Sequence, residues 1–282
     1  MYRLRLTLAY DGAAFAGSQI QPGQRTVQGV VEGALSTLDG RPVRAVFAGR
    51  TDTGVHALGQ VAHADVQRAR DMDQWRRALN GLLPPDVRIT NVAVAPDRFH
   101  ARYDATWRQY RYTIWNGEVQ PPLLRGTTWH RRSPLDLAAM NAAARSLRGE
   151  HDFAAFAGAG TGLPDGAANT VRTMRAAEWT AARCPEAVAG LALVFTIEGS
   201  GFLPHMVRNL VGSLVAIGTG DAPVIWIATL LRGRDRRDAA PTAPPHGLSL
   251  WRVRYDEWDG ERVAAVTGAV AGRVGETDIC RQ

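Results

Sequence analysis

Predicted strands and helices alternate along this chain in an order that recurs once. Residues 2–10 alternate apolar and polar side chains, which is typical of a half-buried strand. The strand's predicted inner face carries Tyr2, Leu4, Leu6, Leu8 and Tyr10. A helix over residues 27–38 follows, with Thr26 as its N-cap. The order β-α-β-β-α-β, typical of a split βαβ unit, is completed by strands over Val43–Phe47, Gly59–Val66 and Val87–Ala95 and a helix over Asp71–Leu83.

The second half of the chain repeats this order. Its predicted elements are strands over Thr106–Asn116, Val171–Ala181, Ala187–Glu198 and Leu248–Tyr255 and helices over Asp136–Leu147, Leu203–Ile217 and Val224–Leu231. We therefore predict an α+β fold of two ferredoxin-like (βαββαβ) halves, residues 1–104 and 105–258, followed by a mobile tail over 259–282. Two such halves can join into one mainly antiparallel sheet, with helices on one face and a catalytic cleft on the other.

The charge of the chain favours an acidic partner. The formal net charge is +6 with a sequence pI near 10, and nucleic acid is the first candidate partner. A soluble basic enzyme with no such partner is the plainer interpretation. All 33 basic residues are arginine. Any contact between a cationic side chain and a phosphate must therefore come from arginine or protonated histidine.

Other features exclude several classes of protein. The two cysteines, Cys184 and Cys280, lie far apart without metal-ligand spacing, which excludes a disulfide scaffold or a zinc ribbon. The first residues alternate in polarity and lack the apolar block of a signal peptide. The longest apolar run, Ala187–Ile197, is too short to cross a bilayer. We expect a cytoplasmic protein that does not enter a membrane.

The stretch AGRTDTGVHA, residues 48–57, holds the first candidate for chemistry. Asp52 lies two residues after Arg50, among small and turn-forming residues. An aspartate here can cap a turn by accepting backbone N–H groups. A carboxylate close to arginine also stays ionised in a desolvated cleft, where it can attack a carbon or remove a proton. The sequence alone leaves both interpretations open.

Two further patterns suggest ligand sites less strongly. His56, His63 and Asp65 have side chains that bind zinc or iron, but no HExxH or CxxC motif accompanies them. The glycine-rich stretch Phe156–Gly166 lacks the spacing of a phosphate-binding loop and is better interpreted as a flexible loop.

Three residues of the second half are candidates for RNA or active-site contacts. Tyr110 and Tyr112 lie on one face of a strand, where a core role is the default, but RQYRY also interleaves arginines with rings that can stack on bases. Arg208 falls in the first turns of an apolar helix, three residues after His205. A buried arginine needs a carboxylate partner, and we predict that Asp52 is that partner.

Taken together, these motifs resemble the tRNA pseudouridine synthase A family. The resemblance extends from Leu4 to about Tyr255, nearly the whole chain. The matching segments, in order, are YDG at 10–12, RTVQ at 25–28, GRTDTGVHALGQV at 49–61, FHARYDATWRQYRY at 99–112, FLPHMVRNLVGSL at 202–214 and APPHGLSL at 243–250. Their number and order make a chance match improbable.

The resemblance implies an isomerase that converts uridines 38–40 of the tRNA anticodon stem-loop to pseudouridine, without cofactor or metal, as a homodimer. It places the catalytic aspartate at Asp52 and the tyrosine beside the target base at Tyr110. It also places an active-site arginine at Arg208, an RNA or active-site contact at Arg50 and a wall of the base pocket at Leu248.

The chain departs from the family pattern at two positions. Ser18 stands where the family commonly has tryptophan, and Thr53 follows the aspartate where alanine is common. The first departure puts a packing or RNA contact in doubt, and neither touches the proposed chemistry. Two other functions remain as alternatives: a non-catalytic RNA-binding protein on the same scaffold, and a metal-dependent hydrolase using His56 and His63.

Overall fold

Strands and helices are mixed throughout the part of the chain that the computed structural model describes, which is residues 1–158, 170–182 and 189–256. The strands are β1 (Tyr2–Tyr10), β2 (Ala45–Phe47), β3 (His56–Val66), β4 (Val87–Ala95), β5 (Trp107–Gly117), β6 (Trp129–Arg131), β7 (Gly149–Asp152), β8 (Val171–Ala182), β9 (Gly190–Gly199) and β10 (Leu248–Arg254). The helices are α1 (Val27–Asp39), α2 (Met72–Leu82), α3 (Leu137–Ala144), α4 (Met206–Gly218) and α5 (Trp226–Gly233). The α+β class predicted from the sequence is confirmed.

The chain forms two compact units. Among the described residues, unit 1 comprises residues 1–108 and 249–256, and unit 2 comprises residues 109–158, 170–182 and 189–248. All of β10 except its first residue therefore belongs to the same unit as β1.

The sheet of unit 1 is built around β3. β1 pairs antiparallel with both β3 and β4, so that Leu4 lies opposite Ala64 on one side and Val94 on the other. β2 pairs antiparallel with the far end of β3, at residues 62–64. β10 pairs in parallel with the start of β3, where Ser249 lies opposite His56.

Alternation along β1 builds the core of unit 1. Leu4, Leu6 and Leu8 are fully buried, as predicted, and α1 and α2 contribute the buried side chains Val27, Val31, Leu35, Trp75 and Leu79. The N-cap of α1 is Thr26, whose hydroxyl accepts the Gly29 N–H, as the sequence predicts. Tyr2 corrects the prediction, because its position at the start of the strand leaves it 46% exposed.

The strands of unit 2 lie in the order β5-β9-β8-β7, and β6 pairs in parallel with β5. β8 and β9 form a long antiparallel pair in which Ala177 lies opposite Ile197. Helix α4 is buried along most of its length, including Leu210 and Leu214. Its predicted start at Leu203 is wrong by three residues, because His205 adopts φ +59, a left-handed conformation that cannot lie inside a right-handed helix.

β6 and β7 were not expected from the sequence, since each is only three or four residues long. None of the helices in the described residues has the length and apolarity to span a membrane. Cys184, Cys280, most of the stretch Phe156–Gly166 and the tail from 259 onwards lie outside the described residues.

Candidate active site

Asp52 lies in the loop between β2 and β3 of unit 1, and its side chain is half-buried. The backbone turns immediately after it, because the Val55 N–H donates to the Asp52 carbonyl at 3.1 Å. Gly54 occupies the third position of this turn with φ +77, a conformation that favours glycine. The loop therefore reverses within four residues and returns directly into β3.

The residue before Asp52 is held on both sides by Ser18. The Thr51 N–H donates to the Ser18 hydroxyl at 2.9 Å, and the Ser18 N–H donates to the Thr51 carbonyl at 3.0 Å. Ser18 is itself buried, and its carbonyl accepts the Gln28 N–H at 2.9 Å from the first turn of α1. Ser18 thus connects the Asp52 loop to a helix.

Tyr10 and Gln60 hold the same loop from the sheet. The Tyr10 hydroxyl lies 2.8 Å from the Thr51 hydroxyl, and the Gln60 amide donates to the Gly49 carbonyl at 2.9 Å. Burial raises the pKa of Tyr10 to about 12, so its phenol stays protonated. Hydrogen bonds to the residues before Asp52 therefore come from both β1 and β3.

Two glycines let the backbone of residues 12–17 lie against this loop. A Cβ at Gly12 would come within 2.0 Å of the Val55 carbonyl oxygen, so no other residue fits there without displacing the turn. Gly17 has φ +86, and a Cβ there would meet the Thr51 carbonyl oxygen at 2.9 Å. This close approach explains the glycine of the YDG motif at 10–12.

His56 links the end of the loop to the same segment. Its Nδ1 accepts the Gly12 N–H at 3.1 Å and also lies 3.0 Å from an Asp11 carboxylate oxygen. One nitrogen cannot serve both partners at once: unprotonated it accepts from Gly12, and protonated it donates to Asp11. Arg50, on the other side of Asp52, is exposed.

The side chains of the metal-site alternative have other partners. Asp65 forms a bidentate ion pair with Arg3 at 2.7 Å, and this hydrogen bond holds the pKa of Asp65 below its usual range. His63 Nδ1 accepts the Ala101 N–H at 3.0 Å, and burial lowers the pKa of His63 to about 4. Within the described residues, no three histidine, cysteine, aspartate or glutamate side chains group as metal ligands.

The two tyrosines of β5 in unit 2 differ in their surroundings. The Tyr112 ring is completely buried and its hydroxyl donates to the Pro244 carbonyl at 2.9 Å. This burial confirms the core interpretation of Tyr112, and it also raises the pKa of the phenol. Tyr110 is 8% exposed, and its ring meets Phe202 edge-on at 5.0 Å.

Arg208 is half-buried near the start of α4. Its Nε donates to the Ala243 carbonyl at 2.8 Å, and the Ala243 N–H donates to the Arg208 carbonyl at 3.1 Å. This double contact requires Gly212 one turn later, where a Cβ would come within 2.0 Å of the Pro241 carbonyl oxygen. The segment 241–243 therefore lies directly on the helix and holds the guanidinium.

The same segment leads into Leu248. A Cβ at Gly247 would meet the Tyr112 ring at 2.6 Å, so the turn before Leu248 packs directly on β5. Leu248 itself is 5% exposed. In unit 2, the segment that leads from 241 to Leu248 therefore contacts both Arg208 and Tyr112.

Of the five predicted site residues, Asp52 and Arg50 belong to unit 1, whereas Tyr110, Arg208 and Leu248 belong to unit 2. The pairing of Asp52 with Arg208 stays a prediction. The sequence analysis missed the residues that hold the Asp52 loop, namely Tyr10, Ser18 and Gln60. Tyr10 and Gln60 lie inside the matching segments and Ser18 is one of the two departures, but no local signal predicts their bonds to the loop, which join residues 11 to 41 positions apart.

Comparison with known proteins places this arrangement in a family. A family model described as tRNA pseudouridine synthase matches residues 7–104 and 143–256, which is more than half of the chain. The chain belongs to the tRNA pseudouridine synthase family. The two matched ranges contain Asp52 and Arg208, whereas Tyr110 lies between them.

Curated relatives support membership of the tRNA pseudouridine synthase family across nearly the whole length. A protein of Solidesulfovibrio magneticus named tRNA pseudouridine synthase A is 52% identical, over 90% of this chain and 92% of its own. Proteins of the same name from Geobacillus kaustophilus and Bordetella parapertussis are 45% and 44% identical, each over at least 90% of this chain and 95% of their own.

Proposed function

We propose that this chain isomerises uridine to pseudouridine in tRNA and that the carboxylate of Asp52 performs the covalent or proton-transfer chemistry. The observation that carries the proposal is the loop of Asp52, a half-buried acid held by three buried side chains in a member of the tRNA pseudouridine synthase family. Fixing a reactive group before the substrate arrives removes an entropic cost from the reaction.

The reaction needs few groups from the protein. The N1–C1′ bond of uridine breaks, the base turns, C5 bonds to C1′, N1 gains a proton and C5 loses one. The product has the composition of the substrate, so the balance requires no oxidant, reductant or water. The protein must supply an anionic oxygen, a pocket for an extruded base and cations for the phosphates.

The predicted site residues supply these parts. Asp52 provides the oxygen, Tyr110 lies beside the base and Leu248 walls its pocket. Arg208 contributes an active-site guanidinium, and the exposed Arg50 contacts RNA phosphate. The substrate positions are uridines 38–40 of the anticodon stem-loop, as the family resemblance implies.

We further propose that the chain contains two ferredoxin-like halves with a catalytic cleft on one face of a shared sheet, divided at residue 104 and ending at 258. The order β4-β1-β3-β2 within unit 1 supports the first half, since it is the order that a βαββαβ unit adopts. The resemblance adds a homodimer working in the cytoplasm.

The experiment is pseudouridine mapping of an unmodified tRNA transcript incubated with the purified protein. We expect wild type to convert uridines at 38–40, and Asp52→Asn to lose conversion by at least about 10³-fold while tRNA affinity changes less than about threefold. Asp73→Asn, at an exposed aspartate of α2, serves as the matched control and should keep full activity.

Two outcomes would contradict the proposal. Turnover retained by Asp52→Asn would remove the carboxylate from the chemistry. Binding of tRNA by the wild type, with no pseudouridine formed and no tritium released from uridine C5, would instead indicate a non-catalytic RNA-binding protein.

A further inference from the structure

One tyrosine of this chain is displayed on the surface. Tyr103, in the segment between β4 and β5, is 76% exposed. Four of the other five tyrosines are at most 8% exposed, and Tyr2 is 46% exposed at the edge of a strand. We call His100, Arg102 and Tyr103 the Tyr103 platform.

Two rings of the platform already stack on each other in the protein alone. The rings of Tyr103 and His100 are 4.3 Å apart at an interplanar angle of 27°. His100 Nδ1 accepts the N–H groups of both Arg102 and Tyr103 at 3.2 Å, and the His100 N–H donates to an Asp104 carboxylate oxygen at 2.8 Å. These bonds fix the Tyr103 backbone against the ring on which its side chain stacks.

The segment is also fastened to the core of unit 1. The buried Tyr255 hydroxyl donates to the Ala101 carbonyl at 2.6 Å, and the Ala101 N–H donates to His63 Nδ1 at 3.0 Å. Arg108 donates to the Arg102 carbonyl at 2.7 Å. A ligand that stacks on Tyr103 would therefore order very little of the protein, which favours binding.

The surroundings of the exposed ring are charged. The Arg102 guanidinium carbon lies 5.8 Å from the centroid of the Tyr103 ring, and Arg98 is exposed in the same segment. Tyrosine and arginine are both enriched at protein–protein interfaces as well, so the choice of partner rests on the net charge of +6 and on membership of a tRNA-modifying family. A flat ring with adjacent arginines matches the requirements of single-stranded RNA, in which a base stacks on the ring and its phosphate meets the guanidinium.

We propose that the Tyr103 platform binds an unpaired nucleobase of the RNA substrate by stacking, at a subsite additional to the pocket of the isomerised uridine. The inference rests on the proposed function in that the ligand is RNA. It assigns Tyr103 to affinity and substrate placement, and Asp52 keeps the chemistry.

The test compares Tyr103→Ala with Tyr103→Phe, using the unmodified tRNA transcript as the probe and binding titrations at several salt concentrations. A stacked base contributes about 5- to 150-fold in affinity, so Tyr103→Ala should raise Kd by that factor, whereas Tyr103→Phe keeps the ring and should stay within about twofold. Tyr2→Ala, at the other exposed tyrosine, is the matched control and should bind like wild type.

The salt dependence separates stacking from charge. Because a tyrosine ring neutralises no phosphate, Tyr103→Ala should keep the wild-type slope of log affinity against log salt. Arg102→Ala should reduce that slope by about one. An equal Kd for Tyr103→Ala and wild type, or equal weakening by Ala and Phe, would overturn the proposal.

A measurement of molar mass in solution tests the other possible partner of the platform, a second copy of this chain. A Tyr103→Ala protein that changes its oligomeric state while binding tRNA as tightly as wild type would assign the ring to contacts between copies of the chain, and would overturn the proposal. The outcome is independent of catalysis: loss of binding in Tyr103→Ala supports the platform even where wild type forms no pseudouridine, which would contradict the proposed function alone.

Discussion

Tyr10 belongs to β1, yet its hydroxyl contacts the loop that carries the candidate acid Asp52. Its ring contributes to the core under β1, and its hydroxyl lies against the Thr51 hydroxyl directly before Asp52. The phenol therefore supports the loop that carries Asp52 and also belongs to the core.

Tyr10→Phe tests this role, because it keeps the ring and removes the hydrogen bond. We expect a loss of about 1–2 kcal/mol in the free energy of unfolding, since Thr51 keeps a buried hydroxyl without this partner. We also expect kcat to fall several-fold with KM nearly unchanged, because the loop that carries Asp52 gains freedom. Both quantities follow from denaturant titration and steady-state kinetics on tRNA.

Asn80→Ala is the control for this prediction. The Asn80 amide exchanges two hydrogen bonds with the backbone of Ile89, between α2 and β4. Its loss should lower stability by a similar amount and leave kcat intact. If both variants lowered kcat equally at a temperature where each is folded, the effect of Tyr10→Phe would be only structural.

The sequence alone predicts Asp52 as the candidate acid, but it does not predict which side chains hold the Asp52 loop. Asp52 stands out because its motif combines an arginine, glycines and a carboxylate within a few residues. Ser18 stands out in the sequence only as a departure from the family pattern, which says nothing about the hydrogen bonds that it makes. Its hydrogen bonds to Thr51 appear only once the fold brings residues 33 positions apart into contact.

At the scale of elements, the apolar periodicity predicts most of the structure. β4 begins and ends where predicted, at Val87 and Ala95, because its alternation is regular and turn residues flank it. α3 was predicted through Leu147 but its α-helical part ends at Ala144, where the chain tightens into a 3-10 turn. The parallel pairing of β10 with β3 has no local signal, because it joins residues almost 200 positions apart.

Two helices should respond oppositely to the same substitution. Gly33 in α1 is exposed with no atom near its absent Cβ, so Gly33→Ala should stabilise the protein by about 0.5–1 kcal/mol. Gly212 in α4 faces the Pro241 carbonyl oxygen at 2.0 Å, so Gly212→Ala must displace segment 241–243 and should destabilise by more than about 2 kcal/mol.

Thermal unfolding and activity together check this pair. The displaced segment holds Arg208 through Ala243, so Gly212→Ala should also lower kcat, measured below its reduced Tm. Gly33→Ala should keep wild-type kcat. A neutral Gly212→Ala would show that the segment moves away at little cost and that its contact with α4 is dispensable.

At the scale of the whole molecule, the basic charge consists of a single side-chain chemistry. The chain has no lysine, so its net charge of +6 rests on arginine. Reagents that modify amines and reagents that modify guanidinium groups should therefore have very different effects on the RNA affinity of this protein.

Acetylation with an amine-directed reagent should leave tRNA affinity within about twofold, because no lysine amine is present to react. Phenylglyoxal, which modifies arginine, should weaken binding by more than about tenfold and flatten its salt dependence, since each lost phosphate contact reduces the slope by about one. Filter binding over a salt series measures both. Affinity that survives phenylglyoxal would mean that arginine charge does not drive the interaction.

The contact between β10 and β3 sets an order of events during synthesis. β3 leads directly out of the Asp52 loop, and the edge beside its first residues is occupied by a strand that is translated near the close of the described chain. Until that strand emerges from the ribosome, those backbone groups stay open to unintended partners. In a nascent chain, Asp52 is therefore translated long before the strand that pairs with the start of β3. This part of the sheet beside the Asp52 loop can form only after β10 has been translated.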